Sequence, residues 1–238
     1  ESLNWTWPDG GAAKWNGKYW GRRAPLSRHR LHEAVNNAFM EQRRYGMGCY
    51  AATKLVVIQG VLDYYRRVKP DAAALRRIEA HLSADGAPLA DIEPGAMWYF
   101  EADYSSADGA RPGKLVDLQH GVAADNFVPG DWSYLRNTDA DSYRKTGYEG
   151  SNMIYLGRDR FDDYYNDHHH FYSFRQKLDE VYQWRHGVFN RVRDAAKIRP
   201  LPVAELLALA SAPAAGGLLE SYRGVVSPPR EAPAVAQP

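Results

Sequence analysis

Cys49 is the one cysteine among 238 residues, and it stands behind Tyr45-Gly46-Met47-Gly48 at the start of an amphipathic run. A thiol attacks an acyl group as its thiolate, and the first turn of a helix directs backbone N–H dipoles at such an anion. Gly46 and Gly48 add no bulk beside it, which leaves room for a substrate carbonyl. The competing reading is a small, buried structural cysteine. A thiol nucleophile also needs a proton acceptor and something to orient it. Glu149 and Ser151 lie two residues apart, so on a strand they share a face, and Asn152 projects from the other. Residues 162–170, DDYYNDHHH, hold three Asp and three consecutive His. The run reads as a base beside the thiol, as a metal cluster, or as a solvated loop. Adjacent strand residues alternate faces, so His168 and His170 could share a metal where His169 could not. His120 is isolated and reads as a surface or core residue. Pro129-Gly130-Asp131 makes a tight entry into a strand on which Trp132 and Tyr134 face one side.

Those side chains need elements to carry them. Leu31, Val35 and Phe39 recur four apart, so Leu26–Arg43 reads as a helix capped by Ser27 and ended by Gly46. After Cys49, the residues Ala51, Leu55, Ile58, Leu62 and Tyr65 form one apolar stripe of a second helix, closed by Pro70. Ala72–Leu82 reads as a third. From Gly95 the texture changes to short aromatic and β-branched stretches separated by Gly, Pro, Asp and Asn. AMWYFEA, KLVDLQ, DWSYLRN and SNMIYLG are expected strands, with a hairpin turn at Gly157-Arg158-Asp159 before Arg160–Tyr165. Phe174–Arg185 returns to helix with Gly187 past its end, and a short Ala/Leu helix follows Pro200. The order implies an α+β domain over residues 26–212 with a mostly antiparallel sheet. Residues 1–25 read as an irregular arm that packs by its indoles, and 213–238 as a Pro/Ala-rich linker or disordered tail.

Composition narrows the partners. Thirty basic against 29 acidic side chains leave a formal charge of +1, too little to steer the whole molecule to nucleic acid. No apolar run is long enough to span a membrane. One cysteine excludes an intrachain disulfide. The start at Glu1 and the linker-like end fit a piece of a larger polypeptide, cytoplasmic or delivered into a target cell.

Four blocks, in this order, resemble the bacterial protein-glutamine gamma-glutamyltransferases of the spore-coat type. They are YGMGCYAATKLVVIQGVLDYY, VPGDWSYLRN, EGSNMIYLG, and RFDDYYNDHHH running into QKLDEVYQWR, over roughly residues 33–193. The resemblance implies a papain-like core, related to that of cell-wall amidases, with the nucleophile at a helix N-terminus. It makes Cys49 the nucleophile that attacks the carboxamide of a protein glutamine, forms a thioester and is resolved by a lysine amine or by water. No cofactor or metal is needed. The family's glutamate before the cysteine is Gly48 here, and its Gly-Glu-Asn is Gly150-Ser151-Asn152. Glu149 is the substitute carboxylate, with Ser151 as a partner. Alignment without a gap puts Tyr164 on the family histidine, while a four-residue insertion brings His168 there, so His168 or His169 is the expected base. Trp132, Asn152 and Tyr164 are the expected substrate-binding residues. The rival readings are a thiol amidase or protease of the same fold acting as a delivered effector, and an inactive binding module.

Overall fold

A computed structural model describes residues 3, 5–6, 14–21, 25–83, 116–162, 164, 171–190 and 201–226. The described helices are α1 (Leu31–Met40), α2 (Cys49–Asp63), α3 (Ala72–Ser83), α4 (Ala140–Tyr143), α5 (Phe174–Gln183) and α6 (Val203–Leu209). The strands are β1 (Val116–His120), β2 (Trp132–Arg136), β3 (Gly150–Gly157), β4 (Arg160–Asp162), β5 (Phe171–Tyr172) and β6 (Leu219–Val226). Among the described residues the strands make one six-stranded sheet, in the order β1-β6-β2-β3-β4-β5. The registers of β6–β2, β2–β3, β3–β4 and β4–β5 are all antiparallel. This is the expected α+β class.

The chain divides into two compact units, one of residues 1–16, 38–54 and 119–224, the other of 17–37, 55–118 and 225–238. In the first, the core is one face of the sheet against α5. Leu135, Met153 and Leu219 from three neighbouring strands meet Leu178, Val181 and Trp184 from the helix and the turn after it. A capping box starts α5: the Gln176 N–H donates to Ser173 Oγ, and Gln176 Oε1 accepts from the Ser173 N–H. Gly187, left-handed at φ 75, ends the following turn, as its position in the sequence implied. At the β3–β4 hairpin, Gly157, Arg158 and Asp159 all take positive φ, which fits the expected tight turn.

In the second unit, Leu55, Ile58 and Leu62 are buried along α2 and Tyr65 in the wider turn Tyr64–Val68 that follows it, as their spacing predicted. Ala51 of the same stripe is half-buried. Trp20 is buried, and its indole N–H donates to the Ala34 carbonyl at 2.7 Å. The α1 helix starts at Leu31 rather than near Ser27, because Glu33 reaches back to accept the Arg30 N–H. Asp71 caps α3 by accepting the N–H groups of Ala73 and Ala74.

The expected division into arm, domain and tail is redrawn. Residues 1–16 belong to the first unit, and residues 219–226 form β6, between β1 and β2 in the sheet. Strand pairing therefore recruits a segment whose Pro- and Ala-rich surroundings had read as linker. The AMWYFEA stretch, His168, His169, His170 and the last twelve residues of the expected tail lie outside the described residues.

Candidate active site

The N-terminal arm sets where the cysteine begins its helix. Residues 45–47 run between Thr6 on one side and Lys14 on the other. Thr6 donates its N–H to the Tyr45 carbonyl (3.2 Å) and accepts the Met47 N–H on its own carbonyl (3.1 Å). Lys14 and Gly46 exchange both N–H···O bonds, at 2.8 and 2.9 Å. A side chain at Gly46 would press on the Thr6 carbonyl and Lys14, so this glycine admits two backbones rather than a substrate. Trp5 anchors the arm: it is buried, donates its indole N–H to the Ala38 carbonyl at 2.7 Å, and meets Phe39 edge-on. Tyr45 and Met47 are buried beside it.

Cys49 is thus the first residue of α2 and is half-buried. One turn on, the Thr53 hydroxyl donates to the Cys49 carbonyl at 3.0 Å and also meets the Tyr164 hydroxyl at 2.9 Å. Between the helix start and strand β3, Asn152 Nδ2 donates to Cys49 Sγ at 3.3 Å. The orientation of that amide is dictated from behind. Trp132 Nε1, which can only donate, meets Asn152 Oδ1 at 2.8 Å, so the NH₂ end must face the sulfur. Trp132 is held in turn, stacked on Tyr222 at 4.4 Å and tilted against Tyr50 at 5.9 Å.

The register explains which side chains share this face. Tyr134 is opposite both Asn152 and Glu220, and Trp132 is opposite both Ile154 and Tyr222. Side chains directly opposite in an antiparallel pair project the same way. Trp132, Tyr134, Asn152, Glu220 and Tyr222 therefore lie on the thiol's side of the sheet. A Cβ at Gly150 would fall on the Tyr134 ring and its oxygen, so the bare glycine is the space in which that ring lies. Burial pushes the Tyr134 phenol well above its ordinary range, with the neighbouring charges of Cys49, Glu220, Tyr143 and Glu149 acting in the same direction.

This reverses the expectation for β3. Ser151 projects away from Cys49: its hydroxyl accepts from Lys177 Nζ at 3.1 Å, inside the core against α5. Lys177 is also 3.8 Å from Glu180 and sits over the Tyr172 ring. Asn152, expected on the far side, is the residue at the thiol. Glu149 precedes the strand, half-buried, and its Oε1 accepts the Gly147 N–H at 3.0 Å. Tyr164 is buried, with its hydroxyl on Thr53 and its carbonyl accepting the Trp5 N–H, so it braces the helix start rather than an open groove. Trp132 is likewise buried behind Asn152. His120 is exposed, with its ring edge against Tyr222. Among the described residues no group of three or more His, Cys, Asp or Glu is placed to hold a metal ion, and no helix is long and apolar enough to cross a membrane.

Tyr134, Lys177, Glu220 and Tyr222 were not singled out from the sequence as site residues. Tyr134 carried a signal, two residues beyond Trp132 on the same face of one strand. Glu220 and Tyr222 carried none, since their strand lies in the tail.

The protein-glutamine gamma-glutamyltransferase family model matches residues 11–172, more than half of the chain. Among solved structures, the chain is similar to "Transglutaminase from Geobacillus stearothermophilus (without C-terminal extension)", with a TM-score of 0.52 and 17% identity over 94% of this chain and 82% of that one. That likeness is one of fold. No curated protein matches the chain. With a mixed helix-and-sheet fold, a cysteine at a helix start and a family match over most of its length, the chain belongs to the protein-glutamine gamma-glutamyltransferase family.

Proposed function

We propose that this protein transfers the acyl group of protein glutamine side chains to amines through a thioester on Cys49. The family is one of transferases that act on glutamine, with protein substrates presenting Gln and an amine. The observation that carries the assignment of Cys49 is its contact with Asn152 at the first residue of α2, on a residue that is half-buried. The Asn152 amide donates toward the sulfur from β3, and the start of α2 turns backbone N–H groups toward the same place.

In the reaction, Sγ bonds to the glutamine carboxamide carbon and the carbonyl π pair moves to oxygen. Collapse restores the carbonyl, breaks the C–N bond and releases ammonia, which carries away the proton taken from the thiol. A lysine amine then displaces the sulfur to give an isopeptide bond. His168 or His169 is the proton carrier in this reading, supported by its place in the sequence after the β3–β4 hairpin, and Glu149 orients it. Ser151, committed to Lys177, holds β3 in place rather than meeting the substrate. Water in place of the amine gives deamidation from the same thioester.

The test is casein with a fluorescent primary amine, followed for incorporation and for ammonia release, beside Cys49→Ala. Incorporation that disappears in the variant is the expected result. Ammonia without incorporation, lost with Cys49, would make the protein a deamidase. Activity that survives in Cys49→Ala would overturn the assignment of the nucleophile.

A further inference from the structure

We propose that the Tyr134 phenol is the side-chain donor that holds the glutamine carbonyl oxygen when Cys49 attacks it. The proposal rests on the reading of Cys49 as nucleophile and assigns the next group in the same site. In the tetrahedral intermediate the negative charge sits on the former carbonyl oxygen, and a preorganised hydrogen-bond donor aimed at it is worth about 100- to 1,000-fold in rate. One such donor is the backbone N–H of Cys49, which as the first residue of α2 faces no helical carbonyl. A second must come from a side chain across from the helix start.

Three observations converge on Tyr134. It lies directly opposite Asn152 in the β2–β3 register, and Asn152 is the residue in contact with the sulfur. Its ring lies where a side chain at position 150 would be, so the phenol lies over β3 at Gly150, on the thiol's side. The Trp132 N–H is taken by Asn152, and one N–H of the Asn152 amide by Cys49. Among the described residues the Tyr134 hydroxyl donates to none, which leaves it for a substrate.

Electrostatics agree with the geometry. Burial raises the phenol first, and the charge of Cys49 follows, so the two groups feel each other and the phenol keeps its proton throughout the working pH range. A phenol that never ionises is a constant donor. Half-burial keeps bulk water from competing fully for it.

The discriminating variant is Tyr134→Phe, which removes the O–H and leaves the ring over Gly150. Steady-state turnover of a glutamine peptide with a primary amine is measured beside the rate at which iodoacetamide alkylates Cys49. Alkylation occurs at a saturated carbon and develops no oxyanion. The expected result is a fall in kcat of about 100-fold, with KM for the peptide within about twofold and alkylation unchanged. A kcat within about threefold of the parent overturns the proposal. A parallel fall in alkylation also overturns it, because Tyr134 would then act on the thiol. Cys49→Ala run alongside separates the two readings: if it is dead while Tyr134→Phe is fully active, only the Tyr134 role falls. If it stays active, or the parent protein turns over nothing, both fall.

Discussion

Asn152→Asp changes a single atom type at the thiol. The indole N–H of Trp132 still meets Oδ1 at 2.8 Å, so the side chain keeps its orientation, and the NH₂ that faced the sulfur becomes a carboxylate oxygen. A donor is thereby replaced by a like charge. Two unit charges at the 3.3 Å of the present contact repel by about 5 kcal/mol at an effective dielectric of about 20. Cys49 is half-buried, so water screens part of this, and about 2 kcal/mol is a reasonable floor. That corresponds to a roughly 30-fold loss of thiolate at neutral pH. The assay is the pseudo-first-order rate of iodoacetamide alkylation as a function of pH, with parent and variant compared. At neutral pH the variant should be at least about tenfold slower, with the two rates converging in strong base. Asn152→Ala, which removes the donor without adding charge, should fall between them. A variant that alkylates at the parental rate would refute the reasoning, because Asn152 would then have no electrostatic hold on the sulfur.

Other expectations follow from the supports behind the site. Lys177→Met removes the cation 3.8 Å from buried Glu180 and the donor to Ser151, and urea unfolding should show a loss of about 3–5 kcal/mol, recovered in large part by adding Glu180→Leu. A loss below about 1 kcal/mol would mean that the pair does not anchor β3. Gly150→Ala drives a methyl into Tyr134 and the Leu135 carbonyl, so stability should fall by about 1–3 kcal/mol, and Tyr134→Ala should relieve only part of it because the carbonyl remains. Burial resists ionisation of Glu79, but hydrogen bonds from Arg30 and His32 outweigh it and hold the carboxyl below its usual range. A depressed folded value gives stability that is present above the unfolded value and lost as pH falls through the folded one. The stability gap between the parent and Glu79→Gln should therefore be steady near neutral pH and close in acid; a gap unchanged down to about pH 3 would contradict this.

Local signals in the chain were sufficient for the elements. The spacing of Leu55, Ile58 and Leu62 marked the buried side of α2, and Gly187 marked the end of the helix before it, because a helix repeats every 3.6 residues and its end favours a left-handed residue. The same signals put Cys49 at a helix start and made the class α+β. They could not decide the phase of β3. Its residues 150–154 are buried on both faces, so no polar–apolar alternation distinguishes the thiol's side from the α5 side, and a shift of one residue exchanges Ser151 for Asn152. They also missed β6, whose eight residues are hidden in a Pro- and Ala-rich stretch and become a strand by pairing with β2. Sequence determined which pieces exist and where the nucleophile stands on its helix. Tertiary structure alone decided that Asn152, Trp132 and Tyr134 face it, because strand register is set by neighbours far away along the chain.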